Sequence, residues 1–116
     1  MNKIGQLGLL KKRSEFLFVR EGRYKASGGV VVQARNNPAH DDIRVGFTAT
    51  KKIGNAVIRN RAKRRLRAIS LEVLPQLGTP GTDYVFIARD KTIKHPYDAL
   101  REDTQKALKS LTQNPT

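Results

Sequence analysis

Lys51-Lys52-Ile53-Gly54-Asn55-Ala56-Val57-Ile58-Arg59-Asn60-Arg61-Ala62-Lys63-Arg64-Arg65-Leu66-Arg67 is the stretch from which the rest of the chain can be read. It holds eight Lys or Arg among seventeen residues, and no acid stands between Asp42 and Glu72. The 116-residue chain has a net charge of +13, so this window alone supplies more than half of it. Gly54-Asn55 reads as the start of a helix, with Asn55 as its N-cap. Pro75 reads as its stop, pushing Leu74 out of helical geometry. At 100° per residue, Ile58, Ala62, Leu66, Ile69 and Val73 fall within a stripe of about 80°, a core-facing seam. Arg59, Asn60, Arg61, Lys63, Arg64 and Arg67 occupy the rest of the surface, with Arg65 at the edge of the seam.

A solvated helix face ordinarily mixes signs, with acids four residues from bases. Here Arg59–Lys63, Lys63–Arg67 and Arg61–Arg65 are like-charge pairs at that spacing, each costing about 0.2–0.5 kcal/mol in an isolated helix. Lys51 and Lys52 precede the positive end of the helix dipole, a poor place for cations and a good one to hold phosphate. A polyanionic partner removes these costs, so the face is expected to bind one.

The flanks of the helix set the fold class. Ile43 to Thr50 reads as a strand with Val45, Phe47 and Ala49 inward and Arg44, Gly46, Thr48 and Thr50 on a polar, small-residue face. After the Gly78-Thr79-Pro80-Gly81-Thr82 loop, Tyr84-Val85-Phe86-Ile87-Ala88 is an apolar run suited to a central strand buried on both sides. Strand, helix, strand makes a β-α-β crossover with two parallel strands. The expected architecture is α/β: a single domain over 1–116, a mixed sheet of about four strands and three helices. Residues 1–8 and 113–116 read as loose ends.

Upstream, Ser14 to Arg20 reads as a short helix capped by Ser14 and ended by Gly22, with Phe16 and Val19 on one face and Phe18 roughly opposite. Either both faces are buried or one lines a groove. Arg23 to Ser27 and Val30 to Arg35 read as strands around Gly28-Gly29; the second puts Val31, Gln33 and Arg35 on one face. Together with the Thr48 face it would floor a shallow cleft. The last helix runs from about Pro96 to Leu111, with Leu100, Ala107, Leu108 and Leu111 as its apolar face.

Composition narrows the function. A pI near 10.7 marks a binder of nucleic acid or an anionic surface. With 38% hydrophobic residues and 6% aromatics the core is small but real. The absence of cysteine excludes disulfides, thiolate metal sites and a thiol nucleophile, and suits a reducing compartment. No apolar run approaches a membrane span, and no signal-peptide pattern opens the chain, so the expected location is cytoplasmic and no membrane partner is expected. Asp98 and Glu102 lie at i,i+4 but stand among Arg101, Asp103 and Lys106 on a mixed-sign face. Asp41-Asp42 is a turn pair, and His40 and His95 have no ligand spacing. No phosphate loop, nucleophile elbow or dinucleotide fingerprint is present. Neither catalytic nor metal residues are assigned, and no small-molecule substrate is expected.

Arg59-Asn60-Arg61, preceded by Lys51-Lys52-Ile53-Gly54-Asn55-Ala56 and followed by Lys63-Arg64 and Arg67, resembles the signature of the bacterial ribonuclease P protein family. Leu10-Lys11-Lys12, Phe16, Arg44-Val45-Gly46, Asp83-Tyr84 and Ala88-Arg89 extend the resemblance across roughly Leu9 to Leu111. It implies the accessory subunit of a ribonucleoprotein endonuclease that removes the 5′ leader of precursor tRNA. The RNA subunit would carry the active site and its Mg²⁺; the protein would bind no cofactor alone and would not cleave alone. The resemblance also implies a left-handed crossover, where the general rule for parallel strands favours the right-handed one. It places contacts to the catalytic RNA on Arg59, Asn60 and Arg61 and their neighbours Lys51, Lys52, Asn55, Lys63, Arg64 and Arg67. It places the leader in a cleft at Phe16, Arg20, Val31, Gln33 and Thr48. Many family members carry aromatics where this chain has Arg20 and Gln33, so less base stacking is available at those two positions. Residue chemistry taken alone leaves a second reading, a ribosomal or other RNA-packing protein without a catalytic role.

Overall fold

A computed structural model describes residues 3–113 of the chain. Six strands form one mixed sheet: β1 (Lys3–Ile4), β2 (Leu7–Leu9), β3 (Arg23–Ser27), β4 (Val30–Asn36), β5 (Ile43–Thr48) and β6 (Thr82–Ala88), in the order β1-β2-β5-β6-β4-β3. The helices are α1 (Arg13–Arg20), α2 (Ala56–Leu77), α3 (Asp90–Lys94) and α4 (Tyr97–Gln113), with a 3-10 turn at Lys51–Ile53 ahead of α2. The expected β-α-β unit is β5-α2-β6, and its strands pair in parallel. As its apolar run requires, β6 is central, bonded to β5 on one side and antiparallel to β4 on the other.

The sheet separates two helical layers. Helices α2 and α4 cover the face bearing Val30, Val32, Ala34, Val45, Tyr84 and Phe86, which form the main core with Ala62, Leu66, Ile69, Val73, Leu74, Leu100 and Leu108. Helix α1 lies on the opposite face, where Leu10, Val19 and Val85 form a second, smaller cluster. Phe16 and Phe18 pack around that cluster, so both faces of α1 are engaged.

Several expectations are corrected. Pro75 does not stop α2, which continues to Leu77 and ends at Gly78. Leu74 stays helical and fully buried, and its carbonyl accepts the Gly78 N–H. Burial of Val73 and Leu74 holds the last turn, while the bond that proline cannot make, to the Leu71 carbonyl, falls on an exposed residue. Ile58 leaves the seam, 37% exposed, because it packs over Gly54 and not into the core. Residues 1–8 are not a loose end throughout: Lys3–Ile4 and Leu7–Leu9 pair with each other, β2 adds to β5, and Ile4 and Leu7 are buried. Gln113 belongs to α4; residues 1–2 and 114–116 lie outside the described residues. Among the described residues, six strands and four α-helices replace about four and three, the additions being β1, β2 and α3, each five residues or fewer. Helix α1 starts one residue early and is not capped by Ser14; the Glu15 carboxylate accepts the Lys11 and Lys12 N–H groups, each at 2.8 Å.

Candidate nucleic-acid interface

The cationic face is built on a correctly read cap. Asn55 Oδ1 accepts the Ile58 N–H at 3.0 Å, so α2 starts where the sequence says it should. Just before it, Gly54 adopts φ +152°, a backbone geometry that favours glycine, and an added Cβ would meet the Ile58 side chain at 2.9 Å. The tight turn places Lys51 and Lys52 at the amino end of the helix, both exposed. Asn60, Arg61, Lys63, Arg64 and Arg67 are exposed along it. Among the described residues, none of the bases from Lys51 to Arg67 pairs with a carboxylate.

Two arginines of the stretch have structural duties. Half-buried Arg59 donates from Nη1 to the Gly54 carbonyl at 2.9 Å, tying the turn to the helix. Arg65 donates to the carbonyls of Ile93 and His95, both at 2.6 Å, and so fastens α3 to α2. Its place at the edge of the seam is what lets it reach them.

Beside the cationic face runs an open strip of sheet. Register aligns Thr48, Ile87, Val31 and Ala26 in one row across β5, β6, β4 and β3, and Gly46, Val85, Gln33 and Tyr24 in the next. Directly paired residues project to the same side of a sheet, so both rows lie on the α1 face. Helix α1 covers the second row at Val85 and Gly46. An added Cβ on Gly46 would come within 2.6 Å of the Phe16 ring, so glycine permits this close approach. The first row is left uncovered: Ile87, although on the central strand, is only partly buried, as are Val31 and Thr48. Lys11, Arg13, Phe16, Phe47, Thr48, Ala49 and Lys63 enclose a groove of about 380 Å³ at the β5 end of this strip.

Of the five expected cleft residues, Phe16 and Thr48 line that groove together, and Val31 and Gln33 lie on the same sheet face. Arg20 is exposed at the far end of α1 and does not line the groove. Lys63, read from sequence as part of the helix face, also walls the groove and so joins the two surfaces. Lys11 and Arg13 are groove residues that the sequence reading did not assign; the run Lys11-Lys12-Arg13 at the start of α1 is the signal that marks them.

A buried polar cluster, also missed, lies at the other end of the strands. Asp83 is fully buried and accepts from Arg44 Nε and Nη2 at 2.7 Å each and from Asn37 Nδ2 at 3.0 Å. His40 Nε2 stands 2.8 Å from its other side. Burial opposes the charged form of Asp83 most strongly, yet the donors from Arg44, Asn37 and His40 outweigh it and hold the carboxyl below the usual carboxylate range. No group of three or more His, Cys, Asp or Glu able to hold a metal occurs among the described residues. Asp98 pairs with Arg101 at 2.7 Å, and no described helix is long and apolar enough to cross a membrane.

The Ribonuclease P family profile matches residues 7–112. The chain belongs to the ribonuclease P protein family. The ribonuclease P protein component of Ruegeria pomeroyi is 49% identical over 108 residues, covering 90% of this chain and 86% of that protein. That of Paramagnetospirillum magneticum is 46% identical over 111 residues, covering 90% and 82%. Among solved structures, the ribonuclease P protein from Thermotoga maritima superposes with a TM-score of 0.74 at 28% identity, covering 92% of this chain and 97% of that one. The Staphylococcus aureus protein gives 0.74 at 29%, covering 88% and 93%. The family match spans both the cationic helix and the strands beside the groove.

Proposed function

We propose that this chain is the RNA-binding, accessory subunit of ribonuclease P, acting in removal of the 5′ leader from precursor tRNA. Membership of the family supports that role. In this reading Lys51, Lys52, Asn60, Arg61, Arg64 and Arg67 meet phosphates of the catalytic RNA, and the single-stranded leader crosses the strip bounded by Phe16, Thr48, Val31 and Gln33. The observation that carries it is the continuity of two surfaces through Lys63: an unpaired cationic helix face opens directly onto an uncovered sheet strip with an aromatic wall. Charge holds the backbone, and Phe16 offers a ring to a base.

In this reading the chain supplies no acid or base for the chemistry. Asp83 is enclosed by its donors and Glu15 pairs with Arg44, so both carboxylates are already held by protein groups. The Mg²⁺ of the reaction is assigned to the RNA. The protein's part is to raise affinity for the substrate that still bears a leader. Precursor tRNA cleavage at low Mg²⁺, by the cognate RNA with and without this protein, tests the reading. Stimulation for precursor and none from protein alone is expected; cleavage by rigorously RNA-free protein would overturn it.

A further inference from the structure

Arg20 and Gln33, both placed along the leader path, carry no ring in this chain. The structure supplies one a strand away. Tyr24 on β3 is the register partner of Gln33 on β4. Directly opposed residues of an antiparallel pair share a face, with Cβ atoms about 4.5–5.5 Å apart. The Tyr24 ring therefore stands on the face that carries Val31, Gln33, Ile87 and Thr48. It is 71% exposed, and it is the aromatic among the exposed large apolar side chains of the described residues. Strand β3 is the edge of the sheet, so no further strand flanks the ring. Its next same-face neighbour is Ala26, paired with Val31, whose small side chain leaves room above the sheet. Two exposed guanidinium groups belong to the neighbouring segments: Arg20 ends α1, four residues before Tyr24 in the chain, and Arg89 donates from Nη1 to the Gly28 carbonyl at the β3–β4 turn.

We propose that Tyr24 is a stacking platform for a base of the single-stranded RNA leader. It does from the edge strand what an aromatic at Gln33 would do from the strand beside it. The inference rests on the leader reading given above and extends the path from the Phe16 groove across β6 and β4 to β3. An exposed ring on a sheet face, with guanidinium groups on the neighbouring segments, suits a nucleotide, because stacking needs only a π-face and the cations hold the adjoining phosphates.

The test uses holoenzyme reconstituted from the full chain and its cognate RNA, with precursor tRNA and mature tRNA as probes. Tyr24→Ala is expected to weaken precursor binding about five- to 150-fold, the range of one lost base stack, and to leave mature tRNA unchanged. Tyr24→Phe keeps the ring and should bind like the parent. Tyr24→Leu keeps bulk without a π-face and should resemble Tyr24→Ala. Adding Gln33→Tyr to Tyr24→Ala should restore most of the loss. Equal effects on both RNAs, or none on either, overturns the inference. If Phe16→Ala is selective for precursor while Tyr24→Ala is not, Tyr24 alone is wrong and the leader reading stands. If neither is selective, both fall together.

Discussion

Arg44 and Asp83 are register partners on the parallel strands β5 and β6, and their side chains close a two-bonded ion pair, Nε to Oδ1 and Nη2 to Oδ2, both at 2.7 Å. The same guanidinium reaches Glu15 of α1 at 3.5 Å. Glu15 in turn holds the Lys11 and Lys12 amides at the start of that helix. One arginine thus links the strand ends of the main sheet to the helix that walls the groove.

Breaking this link has a predictable cost. Arg44→Met leaves a fully buried carboxylate short of its main donor and should destabilise the fold by about 3–5 kcal/mol. Asp83→Asn combined with Arg44→Met should cost less than the sum of the single changes. Chemical denaturation of the three variants measures both.

The pair also sets an acid limit. The folded-state pKa of Asp83 lies below its unfolded value, so its contribution is complete above about pH 4 and is lost as pH falls through the depressed value. Glu15 is shifted the same way, its burial outweighed by the Lys12 and Lys11 amides and by Arg44. Stability measured from about pH 6 down to about pH 2 should fall below about pH 4, and Asp83→Asn should flatten part of that slope.

Neighbouring arginines of α2 should behave in opposite ways. Exposed Arg61 and Arg64, changed to Ala, should alter stability by less than about 0.5 kcal/mol. They should weaken binding to the catalytic RNA and make the salt slope shallower by roughly 0.7–0.9 for each phosphate left without its cation. Arg65→Ala should cost about 1.5–3 kcal/mol, because the Ile93 and His95 carbonyls lose a charged donor. Thermal melts beside RNA titrations separate the two classes.

Phe16 lines the groove and packs against the smaller cluster. Phe16→Ala should weaken precursor tRNA binding by about 1–3 kcal/mol if a leader base stacks on the ring, and leave mature tRNA binding nearly unchanged. Equal loss for both RNAs, with a drop in stability of about 3–5 kcal/mol, would make it a core residue only.

Gly46→Ala tests the groove without removing any side chain proposed to touch RNA. The added methyl meets the tip of the Phe16 ring and must displace that ring from β5, at about 1–3 kcal/mol. Precursor affinity should fall with it while affinity for the catalytic RNA through α2 is kept. Unchanged precursor binding would show that the seating of the Phe16 ring on β5 does not matter to the substrate.

Local pattern was enough for the elements that repeat a period. Ala62, Leu66, Ile69 and Val73 are all buried where the 3.6-residue seam puts them, Asn55 caps α2, and the apolar run Tyr84 to Ala88 is the central strand. The unpaired cationic face was legible for the same reason, since charge and helical spacing are both written along a single segment. What the sequence could not determine depends on partners far away in it. Burial of Val73 and Leu74 overrides the stop expected at Pro75, and pairing with β5 makes a strand of Leu7–Leu9. Asp83 reads as an ordinary polar residue until β5 brings Arg44 beside it from 39 positions away. Tyr24 reads as a surface tyrosine until register sets it next to Gln33. Periodicity states which face of an element is apolar; strand order and register decide which faces meet, and those are properties of the assembled sheet.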